Sequence, residues 1–108
     1  MQQSQLLKGV LELAVLAVLN EGETYGYDLV SRLEGAGLNG VGDASVYGTL
    51  RRLEEAGHLR SRLRASVSGP ARKYYDVTQS GRDAYAEGAE MWARIEGAVD
   101  LLMAGRES

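Results

Sequence analysis

The sequence has no cysteine, which excludes disulfide bonds and thiolate metal sites. It has a single histidine, His58, too few imidazoles for a histidine metal cluster. No metal and no cofactor is therefore expected. The N-terminal Met1-Gln2-Gln3-Ser4-Gln5 lacks the basic n-region of a secretory leader. The most apolar stretch, Val10 to Leu19, contains Glu12 and is too short to cross a bilayer. A cytoplasmic protein with no membrane partner is expected. Enzyme signatures are also missing. There is no cysteine nucleophile, no Gly-x-Ser-x-Gly elbow and no glycine-rich phosphate loop of the dinucleotide or P-loop type. Asp43, Ser45 and His58 could be imagined as a triad, but helix caps and a strand start explain them more simply. No enzymatic activity is expected.

What remains is 108 residues, 44% hydrophobic, the size and composition of one globular domain. The net charge of −3 conceals an asymmetry. Between Ser45 and Lys73 lie seven basic residues (Arg51, Arg52, Arg60, Arg62, Arg64, Arg72 and Lys73) against Glu54 and Glu55, a net +5. The rest of the chain holds five basic and thirteen acidic residues, a net −8. A basic block in an acidic chain is the electrostatic footprint of a polyanion partner.

The hydrophobic pattern predicts a first helix from Leu6 to Asn20, apolar nearly all round and so buried on most sides. A second helix, capped by Thr24, runs to about Glu34, with Tyr25, Leu29, Val30 and Leu33 as its apolar face and Gly35-Ala36-Gly37 as its stop. The glycine-rich connection that follows shows no obvious strand; any strand there would be very short. A third helix, capped by Asp43 or Ser45, ends at Ala56 with Gly57 in the C′ position. Val46, Leu50 and Leu53 face its core, while Tyr47, Thr49, Arg51 and Arg52 point elsewhere. Strands are predicted at His58–Ala65 and Arg72–Thr78, with residues 66–71 as the turn. Arg60, Arg62 and Arg64 share one strand face, where they would repel one another without a polyanion. A last helix, capped by Thr78 or Ser80, runs from about Gly81 to Ala104. Its residues Tyr85, Gly88, Trp92, Ile95, Val99 and Leu102 form a heptad-like stripe.

This order defines the expected fold class: mainly α with a small β-hairpin, a winged helix-turn-helix over residues 1–78 and a long C-terminal dimerisation helix with a short tail over 79–108. In a winged helix the third helix enters the major groove of double-stranded DNA, where base edges are legible.

Five stretches in order carry a family resemblance: Leu7-Lys8-Gly9, then Tyr25-Gly26-Tyr27-Asp28-Leu29, then residues 45–54 (SVYGTLRRLE), then residues 69–75 (GPARKYY), and last Thr78-Gln79-Ser80-Gly81. Together they resemble PadR-like transcriptional regulators of the short branch with a single C-terminal helix. One departure is Gly48, where the family usually has proline. It loosens the expected first turn of the recognition helix, or lets the backbone approach phosphates more closely. The resemblance implies a homodimer that binds a pseudo-palindromic operator through the third helix and the wing, most simply as a repressor. The expected DNA contacts are Lys8, Tyr47, Thr49, Arg51, Arg52, Arg64, Arg72 and Lys73. The expected dimer interface is Tyr85, Trp92, Ile95, Val99 and Leu102. Similar proteins of one branch stack planar ligands on an interface tryptophan, so Trp92, with Gly88 leaving room beside it, is the candidate site for a small planar effector. The alternative is a winged-helix protein–protein interaction module that does not read DNA.

Overall fold

The computed structural model describes residues 6–7 and 9–105. Its elements are α1 (Leu11–Glu21), β1 (Thr24–Tyr25), α2 (Gly26–Gly35), α3 (Asp43–Glu55), β2 (Leu59–Ser66), β3 (Gly69–Val77) and α4 (Gln79–Gly105). Among the described residues these elements place four helices around a small antiparallel sheet of order β1-β3-β2, a winged helix with a long C-terminal helix.

The core forms where the apolar faces of the three short helices meet the base of the sheet. Val15, Val46 and Leu50 are fully buried, joined by Leu19, Leu29, Leu33, Leu53, Leu59 and Val77. The spacing of Val46, Leu50 and Leu53 along α3 turns one face inward and leaves the opposite face to solvent. Helix α3 ends as its sequence requires. Gly57 takes φ +84, and the amides of Gly57 and His58 donate to the carbonyls of Glu54 and Leu53, a Schellman closure that favours glycine. Gly37 closes α2 in the same way, with φ +106.

Several boundaries differ from expectation. The first helix does not run unbroken from Leu6; a turn at Gly9-Val10 interrupts it, with the Val10 amide donating to the Leu7 carbonyl. Thr24 does not cap α2. It lies in β1 and its hydroxyl donates to the Asp28 carboxylate at 2.7 Å. This two-residue strand precedes α2; it is not in the glycine-rich connection. Neither Asp43 nor Ser45 caps α3, whose N-cap residue is Gly42. The hairpin turn is also tighter than residues 66–71. Ser66 pairs with Gly69 across it, and Pro70 and Ala71 belong to β3.

Thr78 caps α4: the Gly81 amide donates to its hydroxyl at 3.1 Å, and that hydroxyl donates to the Gly57 carbonyl at 2.7 Å. The first turn of α4 thereby rests on the α3–β2 junction. A Cβ on Gly81 would collide with the backbone carbonyl of His58 and lie 2.6 Å from Val77 Cγ2, so only glycine fits there. Further along, α4 packs on α1, with Leu13 pressed against Gly88. Beyond Ala89 every described residue of α4 is exposed. The 27-residue helix is about 40 Å long at 1.5 Å per residue and helps stretch the molecule to 60 × 28 × 20 Å.

Candidate nucleic-acid interface

The outer face of α3 carries Tyr47, Gly48, Arg51 and Arg52. The helix runs unbroken through Gly48, so glycine in place of proline does not open its first turn. What Gly48 leaves is a bare patch over which two arginines converge. A Cβ built there would lie 3.6 Å from Arg52 Nη1 and 4.0 Å from Arg51 Nη2. Neither guanidinium has a carboxylate partner among the described residues. Glu54 is committed elsewhere, accepting from the Ser61 hydroxyl at 2.6 Å and pairing with Lys73 at 3.6 Å. Two adjacent cations without counter-charges form a site that favours an anion.

Thr49 corrects the expectation that it points away from the core. It is 0% exposed. Its hydroxyl donates to the Ser45 carbonyl at 2.8 Å and accepts from Arg52 Nη2 at 3.1 Å. It cannot reach a base edge; instead it steadies Arg52. Tyr47 is 44% exposed, and its ring lies directly over Gly26. A Cβ at Gly26 would sit 2.6 Å from both Cζ and the phenol oxygen. The middle glycine of the Tyr-Gly-Tyr stretch thus seats the tyrosine of the recognition helix. Lys8 lies outside the described residues.

The hairpin distributes its cations over two faces. Strand register places Arg60 opposite Asp76, Arg62 opposite Tyr74 and Arg64 opposite Arg72. These four arginines share one face, and Lys73, opposite Leu63, lies on the other, beside α3. The expected repulsion among Arg60, Arg62 and Arg64 is answered inside the chain. Arg60 pairs with Asp76 at 3.2 Å, while Arg62 and Arg64 both pair with Glu23, at 2.6 and 3.2 Å. Arg72 has no carboxylate among the described residues.

Arg72 and Arg64 are held by aromatic rings. The Arg64 guanidinium lies 4.4 Å from the centre of the Tyr74 ring, and that of Arg72 lies 4.5 Å from Tyr25. The two rings pack on each other at 5.2 Å. Like charges directly opposite on a sheet are unfavourable. Stacking on the rings offsets part of that cost and draws both guanidiniums toward β1, where that of Arg64 also meets Glu23. The alternation of Arg72 and Tyr74 along β3 was the only signal of this arrangement in the sequence. The role of Glu23 had none.

His58 is not part of a catalytic group. Its Nδ1 is hydrogen-bonded to Ser80 Oγ at 2.7 Å, across the base of α4.

On α4, Tyr85 is half-buried against its own chain's core and does not stand free with the rest of the stripe. Trp92, Ile95, Val99 and Leu102 are exposed. A Cβ on Gly88 would lie 3.0 Å from Leu13 Cδ1. Trp92 itself borders an open apolar groove of about 600 Å³, whose other walls include Leu13, Ala17, Leu38 and Tyr85. Among the described residues no helix is long and apolar enough to cross a membrane.

Three helices, a hairpin and a cation-bearing third helix define a winged-helix DNA-binding protein. Residues 15–87 match the transcriptional regulator PadR-like family, and the chain belongs to that family, whose members are transcriptional regulators and not enzymes. Among solved structures it is similar to a PadR-like transcriptional regulator from Bacillus cereus, with 36% identity, a TM-score of 0.84, and coverage of 93% of this chain and 97% of that one. A Streptococcus transcriptional regulator matches at 34% identity and a TM-score of 0.82, over 92% and 97% of the two chains. An uncharacterized protein of Lysinibacillus sphaericus is 28% identical over 109 residues, covering 99% of this chain and all of that one.

Proposed function

We propose that the protein is a cytoplasmic repressor that binds a pseudo-palindromic operator as a homodimer, with α3 in the major groove and the wing on the flanking backbone. The observation that carries this reading is the pair of uncompensated guanidiniums of Arg51 and Arg52 converging over Gly48 on the outward face of α3. Phosphate supplies the missing counter-charge, and the O6/N7 edge of guanine supplies neutral acceptors. Arg64, Arg72 and Lys73 add phosphate contacts from the two faces of the wing, Arg64 and Lys73 in exchange for their pairs with Glu23 and Glu54, and Tyr47 adds a hydroxyl from α3. Residues 1–78 form the DNA-reading unit and residues 79–108 the dimerisation helix with a short tail.

The dimer is supported by the exposed stripe Trp92, Ile95, Val99 and Leu102, because an apolar face of that length on a projecting helix calls for a partner. Two-fold symmetry then makes the operator an inverted repeat. Selecting bound duplexes from a random DNA pool tests this. An inverted repeat with two protomers per duplex is expected; a single unrepeated motif, or no enrichment, overturns it.

A second reading, release by a small planar effector, is favoured by the position of Trp92 on the apolar groove. An effector there acts only if it prefers one spacing of the two recognition helices. Because Trp92 is the single tryptophan, its fluorescence should respond to planar aromatic compounds that weaken DNA binding. Silence across a broad panel would leave Trp92 a packing residue.

A further inference from the structure

Glu23 stands in the turn between α1 and β1, and one oxygen of its carboxylate, Oε1, accepts from Arg62 Nη2 at 2.6 Å and from Arg64 Nη1 at 3.2 Å. The Glu23 side chain is itself mostly covered. It is thus a fixed anion facing two wing arginines, whereas Arg72, directly across the hairpin from Arg64, has no carboxylate among the described residues. A carboxylate accepting from two guanidiniums offers them the same charged acceptor chemistry as a phosphate oxygen. We infer that Glu23 is an internal stand-in for DNA phosphate. It holds Arg62 and Arg64 back from the duplex and sets the protein's affinity below what its arginine count would give.

This inference rests on the DNA-binding reading above. It follows from competition: the Glu23 carboxylate occupies Arg62 Nη2 and Arg64 Nη1 and offsets their charge, so a phosphate gains these nitrogens and their full charge only by displacing it. Surface ion pairs of this kind are weak, so the hold is reversible and graded. Because phosphate contacts carry no sequence information, the restraint acts equally on operator and non-operator DNA.

The test is Glu23→Gln, which keeps shape and removes charge. On a mixed-sequence duplex at low salt its affinity should rise about two- to tenfold, the scale of one or two exposed ion pairs. The salt dependence should steepen by roughly 0.9 for each arginine recruited. The same substitution in an Arg62→Met, Arg64→Met background should change nothing. Unchanged or weaker binding by E23Q overturns the inference, and weaker binding would make Glu23 a positioning residue for the two arginines. An equal gain in the background lacking both arginines also overturns it, since Glu23 would then act only through its long-range field. If the wild type itself fails to bind duplex at low salt, the DNA reading falls and this inference with it. Wild-type binding with an unresponsive E23Q removes the Glu23 inference alone.

Discussion

Replacing Gly26 with alanine tests whether the seat of Tyr47 matters to recognition. Gly26 is buried at the start of α2, and its φ is not positive, so alanine meets no backbone penalty. Alanine should even add up to about 1 kcal/mol of helix propensity. Against this, the new methyl would lie 2.6 Å from Tyr47 Cζ and the phenol oxygen. If the ring stayed in place, the overlap would cost about 1–3 kcal/mol. The atoms struck are the far end of a half-exposed side chain, so the ring swings outward and the two effects nearly cancel. Stability should change by less than about 1 kcal/mol, a Tm shift within about 4–8 °C for a domain this size.

Recognition should not be spared. Losing one hydroxyl contact to a charged phosphate costs about 1.5 kcal/mol, so binding should weaken roughly tenfold for each protomer engaged, about a hundredfold for the dimer. Thermal unfolding by circular dichroism and fluorescence-anisotropy titration of a selected duplex measure the two quantities, and Tyr47→Phe should reproduce the affinity loss without touching stability. A folded G26A protein with wild-type affinity would refute the reasoning, as would a cooperative core collapse.

The other glycine contact behaves oppositely. Gly81→Ala drives a methyl into the His58 carbonyl, which is backbone and cannot step aside, so thermal unfolding should show a loss of at least about 1–3 kcal/mol; an unchanged Tm would contradict it. Arg72→Ala should weaken binding to all duplexes and flatten the salt slope by about one contact in anisotropy titrations; an unaltered slope would remove the wing from the interface. Ile95→Glu, far from the core of its own chain, should leave the monomer folded and shift sedimentation toward the monomer, because it places a charge in the apolar stripe; an intact dimer would locate the interface elsewhere.

The parts legible in the sequence were those governed by local rules. The spacing of Val46, Leu50 and Leu53, the glycine closing α3 at Gly57, and the Thr78 cap of α4 each follow from one turn of chain. Features settled by distant partners were not. Thr49 reads as a polar residue on an exposed face until its hydroxyl is seen to donate to the Ser45 carbonyl. Arg62 and Arg64 of β2 read as unrelieved charges because their carboxylate, Glu23, lies 39 and 41 residues away along the chain. The turn at Gly9-Val10 carries no proline to announce it. Tyr85 fits the heptad stripe by spacing, yet its depth on α4 brings it against its own core before the helix projects into solvent.

The central claim is that the cations of α3 and the wing engage DNA phosphates. Affinity for a duplex measured between about 50 mM and about 200 mM salt tests it most directly. Several phosphate contacts predict a steep linear fall in log affinity against log salt, roughly 0.9 per contact. A flat response, or no binding at the lowest salt, would contradict the account.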